Sequence, residues 1–504
     1  MRDKELLKAL SKLLSNSGFM LSADIDTDAI KEVSMEALSS KIIELNQGAA
    51  GITVVDMDML RRVLAEIERD STSKAPVPVE VKRATDFKPV ASEIEAEYQI
   101  KNRPSDRAEG SVSDFVAYFR SRLSRIKEIL SSHRAYAITQ SIGNMKNFMS
   151  GREVVVAGIL TNRITTKNGN VMATIEDETG EAKIMFMNNP NAEGKRLFES
   201  ASRLINDEVI AIKGKISGPF VIAKEIVWPD VPIRERKVIG DDIAIAFMSD
   251  IHVGSKLFMK KNFTKMLSWL NGSVDTKSRT LAGKIKYIIM GGDVVDGIGV
   301  YPDHDRDLAV LDIYSQYQML AEYIEAIPDY IHVFVLPGNH DAVQRSEPQP
   351  PFPEELLDIK LSNVHMVSNP STLMLHKLNV LAYHGTSLDS IISSVPGMSY
   401  AKPEEAMLEL LKRRHLSPVY GGNIIVPTQT DNLVIDEVPD ILHMGHIHKN
   451  GLLEYHGVQI VNSGTWQDRT DFQVRQGHMP TPCNLPVFEA KKYSFTTVDF
   501  MGVV

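Results

Sequence analysis

Hydrophobic positions take three textures along the 504 residues. From 1 to 70 they recur at helical spacing. Leu6, Leu7, Leu10, Leu13 and Leu14 form one such set, and Leu38, Ile42 and Leu45 form a second behind a Ser34 cap. Met59, Leu60, Val63, Leu64 and Ile67 form a third. A small helical docking domain of mixed, somewhat acidic charge is expected there. From 71 to 112 the pattern dissolves into polar, Pro-containing stretches, which predict a flexible linker. Its basic residues lack the interleaved aromatics that stack nucleic-acid bases, so a solvated tether is expected. A connecting helical segment over 113–150 places Phe115, Phe119, Leu123, Ile126 and Leu130 on one face.

The second texture, over 151–238, is short and strand-like. REVVVAGIL, EAKIMFM and EVIAIKGKI read as strands, and Asn168-Gly169 within ITTKNGNVMATIED signals a type I′ hairpin. About five short strands in this order suit a small closed barrel of the OB-fold kind. Such barrels bind single strands through exposed aromatics, but Phe186, Phe198, Phe220 and Trp228 read first as core. A spacer or subunit-docking barrel is the first expectation, and a DNA guide the second. The third texture fills 239–504. DIAIAFMSD, KIKYIIMGGD, IHVFVLPGNH, LNVLAYHG and DILHMGHIH are apolar runs that each end in a polar cluster, the look of buried strands in an α/β sandwich. In such sheets function sits at the C-terminal strand ends. The whole predicts a multidomain α+β chain.

Composition narrows the function. With 56 Lys and Arg against 65 Asp and Glu, the formal net charge is −9, which argues against broad coating of DNA. The lone Cys483 rules out a disulfide framework and a thiolate zinc cluster, and fits a reducing interior. No run of about 18 apolar residues predicts a membrane span, and MRDKELLKAL lacks the apolar centre of a signal peptide.

The chemistry lies in five clusters at five strand ends: Asp250-Ile251-His252, Gly292-Asp293, Gly338-Asn339-His340-Asp341, His384-Gly385 and Gly445-His446-Ile447-His448. Carboxylate, imidazole and amide donors without thiolate suit Mn, Fe, Zn, Co or Ni, and suit Ca less well. Residues two apart on a strand share a side, so Asp250 and His252 can grip one ion, as can His446 and His448. Asp293 has two oxygens and can bridge two ions. Ions about 3.5–4 Å apart clamp a phosphate and activate water. One Asp-x-His alone is background, but five such clusters in series point to a metal centre.

Together these clusters resemble the calcineurin-like metallophosphoesterases, whose pattern is D-x-H, G-D, G-N-H-[DE], H and G-H-x-H. The resemblance implies a calcineurin-like α/β sandwich phosphoesterase domain over about half the chain. It implies that Asp250, His252, Asp293 and His448 would hold one ion. Asp293, Asn339, His384 and His446 would hold the other, and His340 would act as the acid. The longer strings SDIHVGS, GGDVVDGIGVYP, PGNHDAV, YHGTSLD and VNSGTWQ resemble the small subunits of archaeal family D DNA polymerases. That resemblance implies a 3′–5′ proofreading exonuclease with two divalent ions, Mn foremost. It also implies a large catalytic subunit as partner, DNA 3′ ends as substrate, a sliding clamp reached through the complex, and a cytoplasmic, nucleoid-associated place in an archaeal cell. The corresponding accessory subunits of eukaryotic replicative polymerases share the domain order but have lost most ligands, whereas every ligand is present here. A phosphatase or phosphodiesterase of the same fold, and a non-catalytic scaffold, are the competing readings. The accessory domains speak against the first, and intact ligands with an intact His340 speak against the second.

Other polar residues are weighed beside these. Asp296, Asp303, His304 and Asp305 are candidates for shaping a nucleotide pocket, for support behind the ligands, or for a solvated loop. Arg345 is a candidate phosphate contact. Arg413 and Arg414 end a helix and complement its dipole, and are also candidate contacts to a DNA backbone. His332, His443, Trp269 and Trp466 read as core, with Trp466 close enough to the last cluster to line a cleft.

Overall fold

The computed structural model describes residues 81–502 apart from 82, 104–107, 133–140, 274–275 and 358; before these it describes 53–72 and scattered positions from 7 to 43. The chain divides into two compact units, Met1–Pro78 with Val310–Ser315, and Val79–Ala309 with Gln316–Val504.

In the first unit Leu10, Leu14, Leu38, Ile42, Leu60 and Val63 share one buried cluster. These are six of the positions with the helical spacing described above. A helix runs over Met57–Thr72. Helices are not the whole of this unit. Strands β1 (Phe19–Leu21) and β2 (Thr53–Val55) pair in parallel and add Phe19 and Val55 to the cluster. Three-residue strands are too short to show an alternation, so the sequence hid them. Leu6, Ser34, Leu45 and the Ile67 side chain lie outside the described residues.

The second unit opens with a correction. The expected linker includes β3 (Tyr98–Asn102), which pairs antiparallel along Ser371–Leu375 as an edge strand. Upstream, Ala91 is buried and its carbonyl accepts a hydrogen bond from Lys286 Nζ at 3.1 Å. An edge strand keeps one side solvated, so its polar residues imitate a tether. The residues 73–80 and 104–107 of the same span lie outside the described residues.

A long helix, Val112–Ser132, leads to a closed barrel. Its strands are β4 (Glu153–Thr165), β5 (Val171–Asp177), β6 (Gly180–Phe186), β7 (Val209–Ser217) and β8 (Phe220–Val227), ordered β4-β5-β6-β8-β7. Val156, Leu160, Ile175, Ile184, Phe186, Ile210 and Ile212 fill it. The β4–β5 hairpin forms where expected, but it closes over 166–170, with Thr166 donating to the Asn170 carbonyl at 2.8 Å. Gly169 takes a φ of +75° and Asn168 is not among the positive-φ residues, so the turn is longer than a type I′ turn.

Two six-stranded sheets follow, face to face. One runs β12 (Val364–Met366), β11 (His332–Leu336), β10 (Ile285–Gly291), β9 (Ala244–Met248), β18 (Asn484–Glu489), β19 (Ser494–Asp499). The other runs β16 (Asn450–Tyr455), β17 (Val458–Ser463), β15 (Ile441–Met444), β14 (Leu378–Ala382), β13 (Ser371–Leu375), β3. Phe247, Tyr287, Ile289 and Phe334 from the first pack against Leu373, Val380, Ile441 and Val461 from the second. Strands β9, β10 and β11 are parallel, as are β14 and β15. All five expected apolar runs are therefore strands, and all five polar clusters follow their C-terminal ends. Trp269 and Trp466 are fully buried, as is His443, while His332 is half-buried beside His365. Among the described residues no helix is long and apolar enough to cross a membrane.

Arg122 joins the helix Val112–Ser132 to both barrel and sandwich. Its side chain is buried, donates to Asp431 Oδ2 at 2.8 Å and to the Pro418 carbonyl at 2.7 Å, and reaches the Asp207 carbonyl at 3.1 Å. Removing one partner leaves Asp431 buried without its cation. Arg122→Leu is expected to cost about 3–5 kcal/mol of stability in chemical denaturation. A loss below about 1 kcal/mol would mean that the pair is dispensable.

Candidate metal centre

Each strand that supplies the site stops where its chain must turn sharply, and the first residues after the strand carry the donors. Asp250, His252, Asp293, His446 and His448 have φ values of 51°, 53°, 49°, 67° and 59°. Left-handed backbone costs a residue with a Cβ about 1–2 kcal/mol, so five such residues in one place are held there by their surroundings. The neighbouring glycines are required by contact. A Cβ at Gly338 would sit 2.2 Å from Asp293 Oδ1, and one at Gly445 would sit 2.4 Å from Asp250 Oδ2.

The donors fall into adjoining groups. Asp250, His252 and His448 offer atoms within 4.8 Å of one another, as do Asp293, His384 and His446. In the first group the Nε2 atoms of His252 and His448 lie 3.1 Å apart, and His448 Nε2 is 3.3 Å from Asp250 Oδ1. In the second, His384 Nε2 is 3.3 Å from Asp293 Oδ2 and 3.0 Å from Asn339 Oδ1. Asp250 Oδ1 is buried and has no hydrogen-bond donor. A carboxylate oxygen buried without a donor, facing convergent ring nitrogens, fits a divalent cation.

Behind the donors stands a layer of hydrogen bonds that fixes each ring. His252 Nδ1 donates to Asp296 Oδ1 at 2.8 Å, and His384 Nδ1 donates to the Gly291 carbonyl at 2.9 Å. His446 Nε2 donates to Asp389 at 3.0 Å, which leaves Nδ1 as its remaining ring nitrogen. The Gln473 amide lies 2.9 Å from His448 Nδ1. Asp341 accepts backbone N–H groups from Gly338 at 2.8 Å and from Val294 and Val295 at 3.3 Å, clamping two ligand loops together. Asp389 and Gln473 were invisible in the sequence, because they lie 57 and 25 residues from the histidines they hold. Asp296, weighed for such support, provides it.

The electrostatics express a surplus of buried carboxylate. Burial pulls the His252 imidazole down, but Asp296, Asp293 and Asp250 outweigh it and raise it to about 9. The same contest raises His384 to about 10, with Asp293 and Asp250 prevailing over burial. Burial opposes ionisation of Asp293, yet His384, His340 and His252 hold its carboxyl well below the usual range. His340 goes the other way: burial pushes it down to about 4 against the pull of Asp293. Its Nδ1 donates to the Asp296 carbonyl at 2.8 Å, its N–H donates to Asp293 Oδ1 at 2.8 Å, and its ring centre lies 4.7 Å from that of His252.

The sequence-derived donors Asp250, His252, Asp293, Asn339, His384, His446 and His448 thus converge, with His340 beside them. Arg345 is exposed and reaches the Gly299 carbonyl at 3.5 Å. Arg413 and Arg414 require correction. Both are buried; Arg413 pairs with Glu208 at 2.8 Å and with Glu409, and Arg414 donates to the Ile435 carbonyl at 2.6 Å. Their cationic groups serve internal acceptors and present nothing to a DNA backbone. Trp466 is likewise packed within the fold.

Residues 245–450 match the family of B-type subunits of DNA polymerases alpha and epsilon. The DNA polymerase II small subunit of Methanocaldococcus jannaschii is 41% identical over 388 residues, 76% of this chain and 64% of that protein. The chain thus spans less than two thirds of that relative's length. The DNA polymerase II small subunit of Methanothermobacter thermautotrophicus is 36% identical over 457 residues, 89% of this chain and 91% of that protein. A solved archaeal phosphodiesterase aligns with 51% of this chain and 99% of its own, at 14% identity and a TM-score of 0.26.

Residues that orient metal ligands typically change affinity by about 10–100-fold when removed. Asp296→Ala is therefore expected to weaken Mn²⁺ binding by about that factor in a calorimetric titration, with the fold retained. Unchanged affinity would show that the His252 ring needs no such support.

Proposed function

The chain belongs to the family of archaeal DNA polymerase II small subunits, and on that premise we propose that it is the two-metal 3′–5′ exonuclease of a family D replicative polymerase. It trims DNA 3′ ends as a proofreader and docks the large polymerase subunit. The observation that carries this reading is the convergence of seven donors at five strand ends, around the Asp250 oxygen that no hydrogen bond serves. The barrel reads as an OB-fold and the two facing sheets as a calcineurin-like phosphoesterase domain. Residues 1–70 read as a docking domain. The barrel and the outer face of the sandwich are the proposed contacts to the large subunit. The clamp is reached through the complex. The proposed setting is the cytoplasm of an archaeal cell, at the nucleoid.

Asp250, His252, Asp293 and His448 are proposed to hold one divalent ion, and Asp293, Asn339, His384 and His446 the other, with Mn²⁺ the first candidate. When bound, the ions supply Lewis acidity and neutralise phosphate charge. Water adds to phosphorus, the bond to the penultimate nucleotide's 3′-oxygen breaks, and a 5′-mononucleotide leaves. His340 is the group positioned to protonate that oxygen. The Asp296 carbonyl occupies Nδ1, so Nε2 is the nitrogen presented to substrate.

The test is degradation of 5′-labelled single-stranded DNA with Mn²⁺. The wild-type chain shortens the strand from its 3′ end, and Asp293→Ala, which lacks the shared ligand, does not. His340→Ala keeps its ions and loses about 10²–10⁴ in rate. Loss of the ions in His340→Ala would remove it from the role of acid. A wild-type chain that cuts nothing, even with the large subunit added, would make it a scaffold.

A further inference from the structure

The string Gly297-Ile298-Gly299-Val300-Tyr301-Pro302 belongs to the resemblance noted in the sequence, yet none of its side chains enters a donor group. Its backbone lies directly on the catalytic loop. A Cβ at Gly297 would meet the His340 carbonyl oxygen at 2.2 Å, and the Gln316 amide brackets Gly297 from the other side with bonds of 2.9 and 3.1 Å. The loop therefore has a fixed distance to His340.

Tyr301 is the residue this loop presents. Its ring lies over the His304 ring at 4.2 Å between centroids, and its hydroxyl donates to Asp307 at 2.9 Å. His304 is itself held: it accepts the Val300 N–H at 3.3 Å and its Nε2 lies 3.5 Å from Asp296 Oδ2. The Tyr301 centroid is 6.4 Å from that of His340, and the residue remains 39% exposed beside Ile298 at 46%. A rigid aromatic plate is thus half open to solvent within one ring-length of the acid, and Arg345 reaches over the same loop at Gly299.

We propose that Tyr301 is the platform on which the base of the 3′-terminal nucleotide stacks, through the ring face turned away from His304. The proposal rests on the exonuclease reading above and names where its substrate's base is held. Every base has a π-face, so stacking accepts all four, as a nuclease that must remove any misplaced nucleotide requires. Base–aromatic stacking is worth about 1–3 kcal/mol, or about 5- to 150-fold in binding. Contact made equally in ground and transition states changes KM and leaves kcat alone.

The experiment compares two single-stranded substrates, one with an ordinary 3′-terminal nucleotide and one whose terminal residue is a tetrahydrofuran lacking the base. It uses the full chain, alone and with the large subunit. Wild type is expected to show a KM about 5- to 150-fold lower for the ordinary end, with similar kcat. Tyr301→Ala abolishes that difference, whereas Tyr301→Phe and Tyr301→Trp, which keep a plate, preserve it. The proposal is overturned if Tyr301→Ala keeps the wild-type preference, or if it lowers kcat equally on both ends, the mark of a disturbed loop. Wild-type protein inert on both substrates removes the exonuclease reading itself, and this proposal with it; normal cleavage with no base preference removes this proposal alone.

Discussion

The structure turns on two carboxylates, Asp250 and Asp293, carried to the place where two sheets meet and buried there. An ionised carboxylate taken from water costs several kcal/mol unless matching charge is brought to it. The matching charge arrives as the imidazoles of His252, His384 and His446, from three strand ends. Much else follows from this constraint. The two faces of the sandwich must align so that β9 and β10 of one sheet and β14 and β15 of the other end at the same edge. The loops after these strands turn through left-handed backbone, and Gly338 and Gly445 are glycines because a Cβ would collide with the carboxylates themselves. The raised protonation of His252 and His384 has the same origin: protons stand where the carboxylates call for cations.

The site's elements were written plainly in the sequence because each is local. Asp250-Ile251-His252 is three residues long and follows a strand whose every side chain is buried, so both its periodicity and its chemistry survive without the rest of the fold. Its supports were illegible for the opposite reason. Nothing about Gln473 or Asp389 marks it as a partner of His448 or His446 until the chain has folded. Arg413 and Arg414 show how a local signal misleads. A basic helix end looks like a phosphate contact, but tertiary packing buries it against Glu208 and Glu409. The strand Tyr98–Asn102 was hidden by composition, since an edge strand with exposed polar residues and a solvated tether share the same residues.

The proposed function places a nucleic-acid substrate on an acidic chain. A net charge of −9 argues against broad attraction for DNA. On the proposed reading, bound ions would supply positive charge where the donors converge, and recognition would fall to neighbouring surfaces such as the Tyr301 loop. The barrel and the helix Val112–Ser132 are fastened to the sandwich by Arg122 and by the Arg203–Glu409 pair at 2.7 Å. The domain that carries the donors and the barrel beside it therefore form one body in this unit.

The most direct measurement of the central claim is anomalous diffraction at the manganese edge from crystals grown with Mn²⁺. Two peaks about 3.5–4 Å apart, one between Asp250, His252 and His448 and one between Asn339, His384 and His446, with Asp293 between them, are the predicted result. A single peak, or none at these donors under saturating Mn²⁺, would contradict a two-ion centre.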